Sequence, residues 1–192
     1  MTTELATDYY RTSEEYLAAE LMSGEKHEYL AGVVCAMAGA SAGHNRITGN
    51  IAAELRDQLR GKSCQEFSTE MKVCIRKGAA EFYYYPDVTV DCSPLPDTSF
   101  FSEEPRVIFE VLSPQTERID RGEKLQNYQS LDSLSAYILV DQARVAVTVY
   151  RRKNEVWGRE VLTAKDDILG LPEIDCELTL TAIYERTDLV HQ

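Results

Sequence analysis

Apolar positions recur along this chain with two spacings, near four residues and at two, and the elements they predict are helices and strands in mixed order. Thr12 followed by Glu15 forms a capping box for a short helix running through Tyr16, Leu17 and Leu21 to about Met22, with Gly24 ending it. HEYLAGVVCAMAG reads as two strands about a turn at Ala31 and Gly32. From His44 to Leu59 the residues Ile47, Ile51, Leu55 and Leu59 step by four, and Gly61 follows where a helix C-cap belongs.

Three strand-like runs come next: QEFSTEMKVCIR, FYYYPDVTVDC and RVIFEVL, rich in β-branched and aromatic residues. The segment DCSPLPDTSFFSEEP holds three of the six prolines and is expected to be an excursion outside the sheet. Helical spacing returns from Asp120 to Leu131, and AYILVD has the unbroken apolar character of a buried parallel strand, so strand, helix and strand predict a right-handed crossover. VAVTVYRRKNEVWGREVL predicts a hairpin turning near Lys153 and Asn154, and LTLTAIYERTDLV predicts a closing helix. The pattern is mixed α/β, a central sheet flanked by helices, in one domain over residues 1–192.

Composition narrows the classes. At 192 residues and 44% apolar, folding is expected to bury roughly 70% of the unfolded surface, enough for a core without staples. No apolar run reaches the length of a membrane helix, and MTTELATDYY carries acid where a secretion signal carries base, so the expectation is a cytoplasmic protein without a membrane. The five cysteines, Cys35, Cys64, Cys74, Cys92 and Cys176, include no C-x-x-C pair and read as small buried hydrophobes in a reducing compartment. The net charge of −12 divides as −4, −5 and −3 over thirds cut at residues 60 and 120. No third is basic, which argues against indiscriminate polyanion binding; a nucleic-acid partner then requires local positive charge or a metal.

Several residues break the apolar logic of their elements. Glu110 lies in the otherwise apolar RVIFEVL on a face with Ile108 and Leu112, where a carboxylate is desolvated unless a cation or donors meet it; a buried structural salt bridge is the alternative. Asp87 follows Pro86 at the start of DVTVD, and by itself it could simply cap a turn. Together, two carboxylates on neighbouring strands form the oxygen-rich pair that Mg²⁺ prefers, with room for water and a phosphate oxygen. Lys124 shares a helix face with Asp120, Tyr128 and Leu131 that is expected to look at the sheet, where an ammonium could stabilise a developing phosphorane. The alternative is a surface pair with Asp120. His44, three residues before Ile47, opens the long helix on its buried side, either as a capping residue or as a proton acceptor. Glu28, on the first hairpin strand, is a further acid or a solvated surface residue.

The ordered set of Glu28 in HEYLAGVV, His44 in SAGHNRITGNI, Pro86 and Asp87 in YPDVTV, Glu110 in FEVLSPQT, then Asp120, Lys124 and Tyr128 in DRGEKLQNY, and AYILVD, resembles the Uma-type family described as putative restriction endonucleases, within the PD…(D/E)xK phosphodiesterase superfamily. The resemblance spans about residues 10 to 185. It implies a restriction-endonuclease-like core whose site holds Mg²⁺ or Mn²⁺ and hydrolyses phosphodiesters in nucleic acid, with DNA the expected substrate. Carried over by position, Asp87, Glu110 and the backbone carbonyl of Val111 are metal ligands, with Glu28 and His44 as supporting acid and base. The superfamily's lysine stands two residues after the Glu, but here that position is Leu112, and the resemblance implies that Lys124 supplies the amine. A homodimer is expected from the symmetry of nucleases that cut two strands, with Trp157 and Tyr150 offering a patch. Two rival functions remain: a nuclease-like fold retired to binding or regulation, and a metal-dependent hydrolase of a small phosphorylated compound.

Overall fold

A computed structural model describes residues 11–190. The acidic start that bears on secretion therefore lies outside the described residues. In chain order the elements are α1 (Ser13–Glu20), β1 (His27–Leu30), β2 (Val33–Ala36), α2 (Ala42–Leu59), β3 (Gln65–Ser68), β4 (Lys72–Lys77), β5 (Ala80–Tyr84), β6 (Val88–Asp91), β7 (Phe101–Ser102) and β8 (Pro105–Leu112). A continuous helical segment follows, made of α3 (Glu117–Ile119), a π turn (Asp120–Lys124) and α4 (Leu125–Tyr128). The chain ends with β9 (Ala136–Asp141), β10 (Val147–Lys153), β11 (Val156–Leu162), β12 (Ile168–Leu171), β13 (Cys176–Thr179) and α5 (Leu180–Ile183).

The expected mixed α/β architecture is present, built on two sheets. A six-stranded sheet runs β11-β10-β9-β8-β6-β3, and a five-stranded sheet runs β2-β1-β5-β4-β7. In the first, β8 and β9 are parallel and joined through the helical segment, as the crossover pattern predicts; the other pairs are antiparallel. Strand β8 shows why the sheet is central. Val107, Phe109 and Val111 pack with Ile47, Ile51 and Leu55 of α2, whereas Ile108 and Leu112 pack with Val73, Ile75 and Tyr84 of the second sheet and Tyr128 of α4. A strand covered on both faces must be apolar throughout, so Glu110 stands out.

Two strand-like runs each divide between the sheets. QEFSTEMKVCIR bends at Thr69 between β3 and β4, and FYYYPDVTVDC bends at Pro86 and Asp87 between β5 and β6. Asp87 thus sits on a crossing between sheets, because proline donates no ladder hydrogen bond and interrupts the strand. Both hairpin turns carry consecutive positive φ values, Ala31 and Gly32 at 48° and 110° and Asn154 and Glu155 at 48° and 64°, the twist that two-residue hairpins require.

Four expectations are corrected. The proline-rich excursion contributes β7, a two-residue strand parallel to β4. The helix after β8 starts at Glu117 and ends at Tyr128, since Arg152 donates to the carbonyls of Gln129, Leu131 and Asp132 beyond it. The closing helix is only the four residues of α5, because Cys176 and Leu178 alternate with exposed neighbours and pair as β13 with β12. Finally, Cys64 and Cys92 form a disulfide. They flank the β3–β6 pairing of Gln65 with Asp91, which sets them opposite one another with Cα atoms 3.9 Å apart. Reading all five cysteines as reduced thiols therefore fails for this pair, while Cys74 and Cys176 are buried thiols. No described helix is long and apolar enough to cross a membrane.

Candidate active site

Five sequence-predicted side chains meet where the two sheets diverge. Glu28 comes from β1, His44 from the first turn of α2, Asp87 from the crossing bend, Glu110 from β8 and Lys124 from the π turn. All five, with Val111 and Asp120, line one pocket of about 1010 Å³.

Lys124 is the hub. Its ammonium lies 2.9 Å from Glu28, 3.1 Å from Glu110 Oε1 and 3.4 Å from Asp120. The surface-pair alternative is excluded, because the side chains of Lys124 and Asp120 are only 6% and 2% exposed. The π turn places both residues inward, and π-type turns are frequent where a helix carries functional groups. Tyr84 lies below, its ring centre 5.4 Å from the ammonium. Tyr128, four residues further on, donates its hydroxyl to the same Glu110 oxygen at 3.3 Å.

Asp87 is held on its other side. The Val111 N–H donates to Oδ2 at 2.7 Å, and His44 Nε2 lies 2.7 Å from Oδ1. With a carboxylate accepting there, Nε2 carries the hydrogen, and Nδ1 is left buried with no hydrogen-bond partner among the described residues. His44 is fixed in turn by the α2 N-cap: Ser41 Oγ accepts from the His44 N–H and donates to Gln142. Glu28 also accepts from the Tyr85 N–H at 3.3 Å.

The electrostatics have one theme. Three carboxylates, Glu28, Glu110 and Asp120, surround one ammonium, and a fourth, Asp87, lines the same pocket. Burial raises the Glu110 carboxyl well above its ordinary 4.5; Lys124 opposes this, while Asp120, Asp87 and Glu28 add to it. Burial likewise raises Asp120, against Lys124 and Thr116. For Lys124, burial favours the neutral amine, but Glu110, Glu28 and Asp120 together outweigh it and keep the ammonium protonated well above its usual range. The carboxyls thus rise chiefly through burial, and the ammonium through its acidic neighbours.

The donor chemistry suits a hard divalent cation. Asp87 and Glu110 offer carboxylate oxygens, with the Val111 main chain between them. Among the described residues no three His, Cys, Asp or Glu side chains form a ready-made metal cage. An ion held by two carboxylates would complete its shell with main-chain, water and substrate oxygens, the usual mode for Mg²⁺.

Sequence reasoning placed Asp120 beside Lys124 without assigning it to the site, although its i to i+4 spacing on the inward face carried the signal. It did not mark Lys26, Tyr85, Ser41 or Gln142, which enter through loops and sheet crossings that no periodicity reveals. For the homodimer, Tyr150 stacks on Tyr137 and Trp157 on Arg152, so both rings are partly covered within the chain.

Fold and site together define a protein of nuclease-like, restriction-endonuclease-like architecture. The chain belongs to the Uma2 family, described as "Putative restriction endonuclease", which matches residues 13–182. Two relatives in Synechocystis sp. (strain ATCC 27184 / PCC 6803 / Kazusa) are each 33% identical. The uncharacterized protein slr1290 aligns over 89% of this chain and 90% of its own length, and the uncharacterized protein sll1609 over 77% and 84%. A crystal structure titled as a putative nuclease belonging to DUF820, from Anabaena variabilis ATCC 29413, shares the fold with a TM-score of 0.68 at 18% identity, covering 85% of this chain and 94% of that one.

Proposed function

We propose that this protein is a divalent-metal-dependent endonuclease that hydrolyses phosphodiester bonds in nucleic acid, with DNA the expected substrate. The observation that carries this is the electrostatic deficit at the pocket floor, where Glu28, Glu110 and Asp120 share Lys124 and Asp87 adds a fourth carboxylate to the same pocket. Such a floor is unfavourable for stability unless a cation joins it, and family membership names the chemistry it would serve.

Asp87, Glu110 and the Val111 carbonyl would hold Mg²⁺ or Mn²⁺, which when bound supplies charge neutralisation of the phosphate and an activated water. The remaining roles belong to the chain. Lys124, positioned by three carboxylates, directs a fixed ammonium at charge developing on the phosphoryl oxygens. His44 and the Val111 N–H orient Asp87, each engaging one of its oxygens. Tyr128 and Lys124 both engage Glu110 Oε1, which fixes that carboxylate while leaving Oε2 for a ligand. Glu28 anchors Lys124 from the opposite sheet and is the acid nearest to it. Leu112, standing where the superfamily has lysine, is buried in the apolar core, and the amine reaches Glu110 from the π turn. A two-fold dimer through the terminal hairpin would present two such sites to two strands.

The test is cleavage of DNA by protein purified to constant specific activity. Cleavage should require Mg²⁺ or Mn²⁺, and Asp87→Ala and Glu110→Ala should each abolish it. Unchanged cleavage in both variants would assign the activity to a contaminant. Absence of Mn²⁺ binding heat in the wild type would leave a retired site.

A further inference from the structure

The pocket extends well beyond its acidic floor. Its volume of about 1010 Å³ lies at the upper end for ligand sites. Lys26, Thr69 and Tyr85 form one wall. Among the described residues lining it, Lys26 and Lys124 are the only lysines, and there is no arginine. Lys124 is enclosed by carboxylates, whereas the Lys26 side chain is 33% exposed.

Lys26 stands one residue away from the proposed metal ligand. Its ammonium donates to the Thr69 carbonyl at 2.9 Å, and the Thr69 N–H donates to the Asp87 carbonyl at 3.1 Å. Thr69 adopts φ 45°, an uncommon left-handed conformation for a β-branched residue, at the bend between the two sheets. Tyr85 backs the subsite, with Lys26 5.6 Å and the buried Lys72 4.9 Å from its ring centre. Its hydroxyl is tied to Glu20 and Lys72, which holds the ring still. Among the described residues Lys26 has one carboxylate partner, Glu70, at 2.6 Å, and that side chain is 79% exposed. A solvent-screened pair of this kind is weak, so a phosphate can replace it. Without Lys26, a second phosphate on this wall would meet Glu25, and Glu28 whose charge Lys124 already shares with two other carboxylates.

We propose that Lys26 binds the substrate phosphate next to the one attacked, exchanging Glu70 for it, so that a strand with at least two consecutive phosphates is preferred over a lone phosphodiester. This rests on the phosphodiesterase function proposed above and identifies which substrates it takes.

Two measurements on the full chain test it. The first is anisotropy of a labelled single-stranded oligodeoxynucleotide in Ca²⁺, titrated between about 50 and 200 mM salt. Lys26→Gln should lower the slope of log K against log salt by about 0.7, the effect of one lost phosphate contact on a single strand. Lys26→Arg should retain the slope, as should Lys153→Gln outside the pocket. The second is Mn²⁺-dependent cleavage of a dinucleoside monophosphate with and without an added terminal phosphate. Wild type should show a several-fold lower KM for the two-phosphate substrate, and Lys26→Gln should erase that preference with kcat retained. If Lys26→Gln keeps both slope and preference, or slows both substrates alike through kcat, the subsite is wrong and the nuclease function stands. If wild type neither binds nor cuts the strand, the nuclease function falls and the subsite falls with it.

Discussion

Replacing Glu110 by Gln should stabilise the metal-free protein while abolishing the proposed metal-dependent cleavage. Burial, then Asp120, Asp87 and Glu28, raise the Glu110 carboxyl well above 4.5 against the pull of Lys124. A carboxyl raised in the fold binds more protons folded than unfolded, so its contribution to stability is greatest below pH 4.5 and declines as pH climbs toward the folded value. Glutamine imitates the protonated form at every pH and keeps an oxygen to accept from Lys124 and Tyr128. Removing a buried charge in favour of an uncharged isostere stabilises a fold by about 1–3 kcal/mol. Glu110→Gln should therefore be more stable than wild type on that scale at pH 8 in EDTA, and equal to it near pH 4. For a chain of this size that is a rise in Tm of about 2–12 °C. Saturating Mn²⁺ should reverse the order, since an ion at 1,000 times its Kd adds about 4.1 kcal/mol to whichever protein binds it. Thermal melts from pH 4 to pH 8, with and without Mn²⁺, supply each of these comparisons. A variant less stable than wild type at pH 8 in EDTA, or a difference that does not change with pH, would refute the charge-deficit account.

Reduction of the Cys64–Cys92 disulfide, whose partners are 28 residues apart, should remove about 3.6 kcal/mol of stability on chain-entropy grounds. Urea denaturation with and without dithiothreitol, and of Cys64→Ser with Cys92→Ser, measures this; an unchanged midpoint would show that the link contributes nothing. Tyr128→Phe removes a buried hydroxyl donor 3.3 Å from Glu110. It should cost about 0.5–1.5 kcal/mol in urea denaturation and reduce kcat by less than tenfold, because Lys124 still holds the same oxygen.

The long helix, both flanking hairpins and the β8-to-β9 crossover were legible because each has a local signature: a period of four, two residues able to take positive φ, or an apolar run with helical spacing between strands. The allocation of strands to sheets was not. β3 and β4 form one run in sequence, as do β5 and β6, and only the tertiary bend at Thr69 and at Asp87 sends their halves to different sheets. The carboxylates of Asp87 and Glu110 and the amine of Lys124 announced themselves as charges in apolar settings. Asp120 announced itself equally, but its pairing with Lys124 had a surface explanation that only burial removes. Cys64 and Cys92 had no visible relation, since their approach depends on β3 pairing with β6, a partnership between residues as distant in sequence as Gln65 and Asp91 that no spacing encodes.

The charge of the whole molecule and the charge of its site bear on the same question. A protein at −12 repels a polyanion at long range, and the pocket floor, four carboxylates against one ammonium, repels it again at contact. Neither Lys124, enclosed and neutralised by its neighbours, nor the partly exposed Lys26 can offset both. On the proposed function, a phosphodiester would reach Lys124 only with a divalent cation that meets Asp87 and Glu110 and leaves the floor close to neutral. On that reading metal affinity and substrate affinity should rise together with pH, since a carboxyl raised by burial must lose its proton before it accepts the ion. A site that bound DNA equally well at pH 6 and pH 8 with its carboxylates unmetallated would not be the one described by these residues.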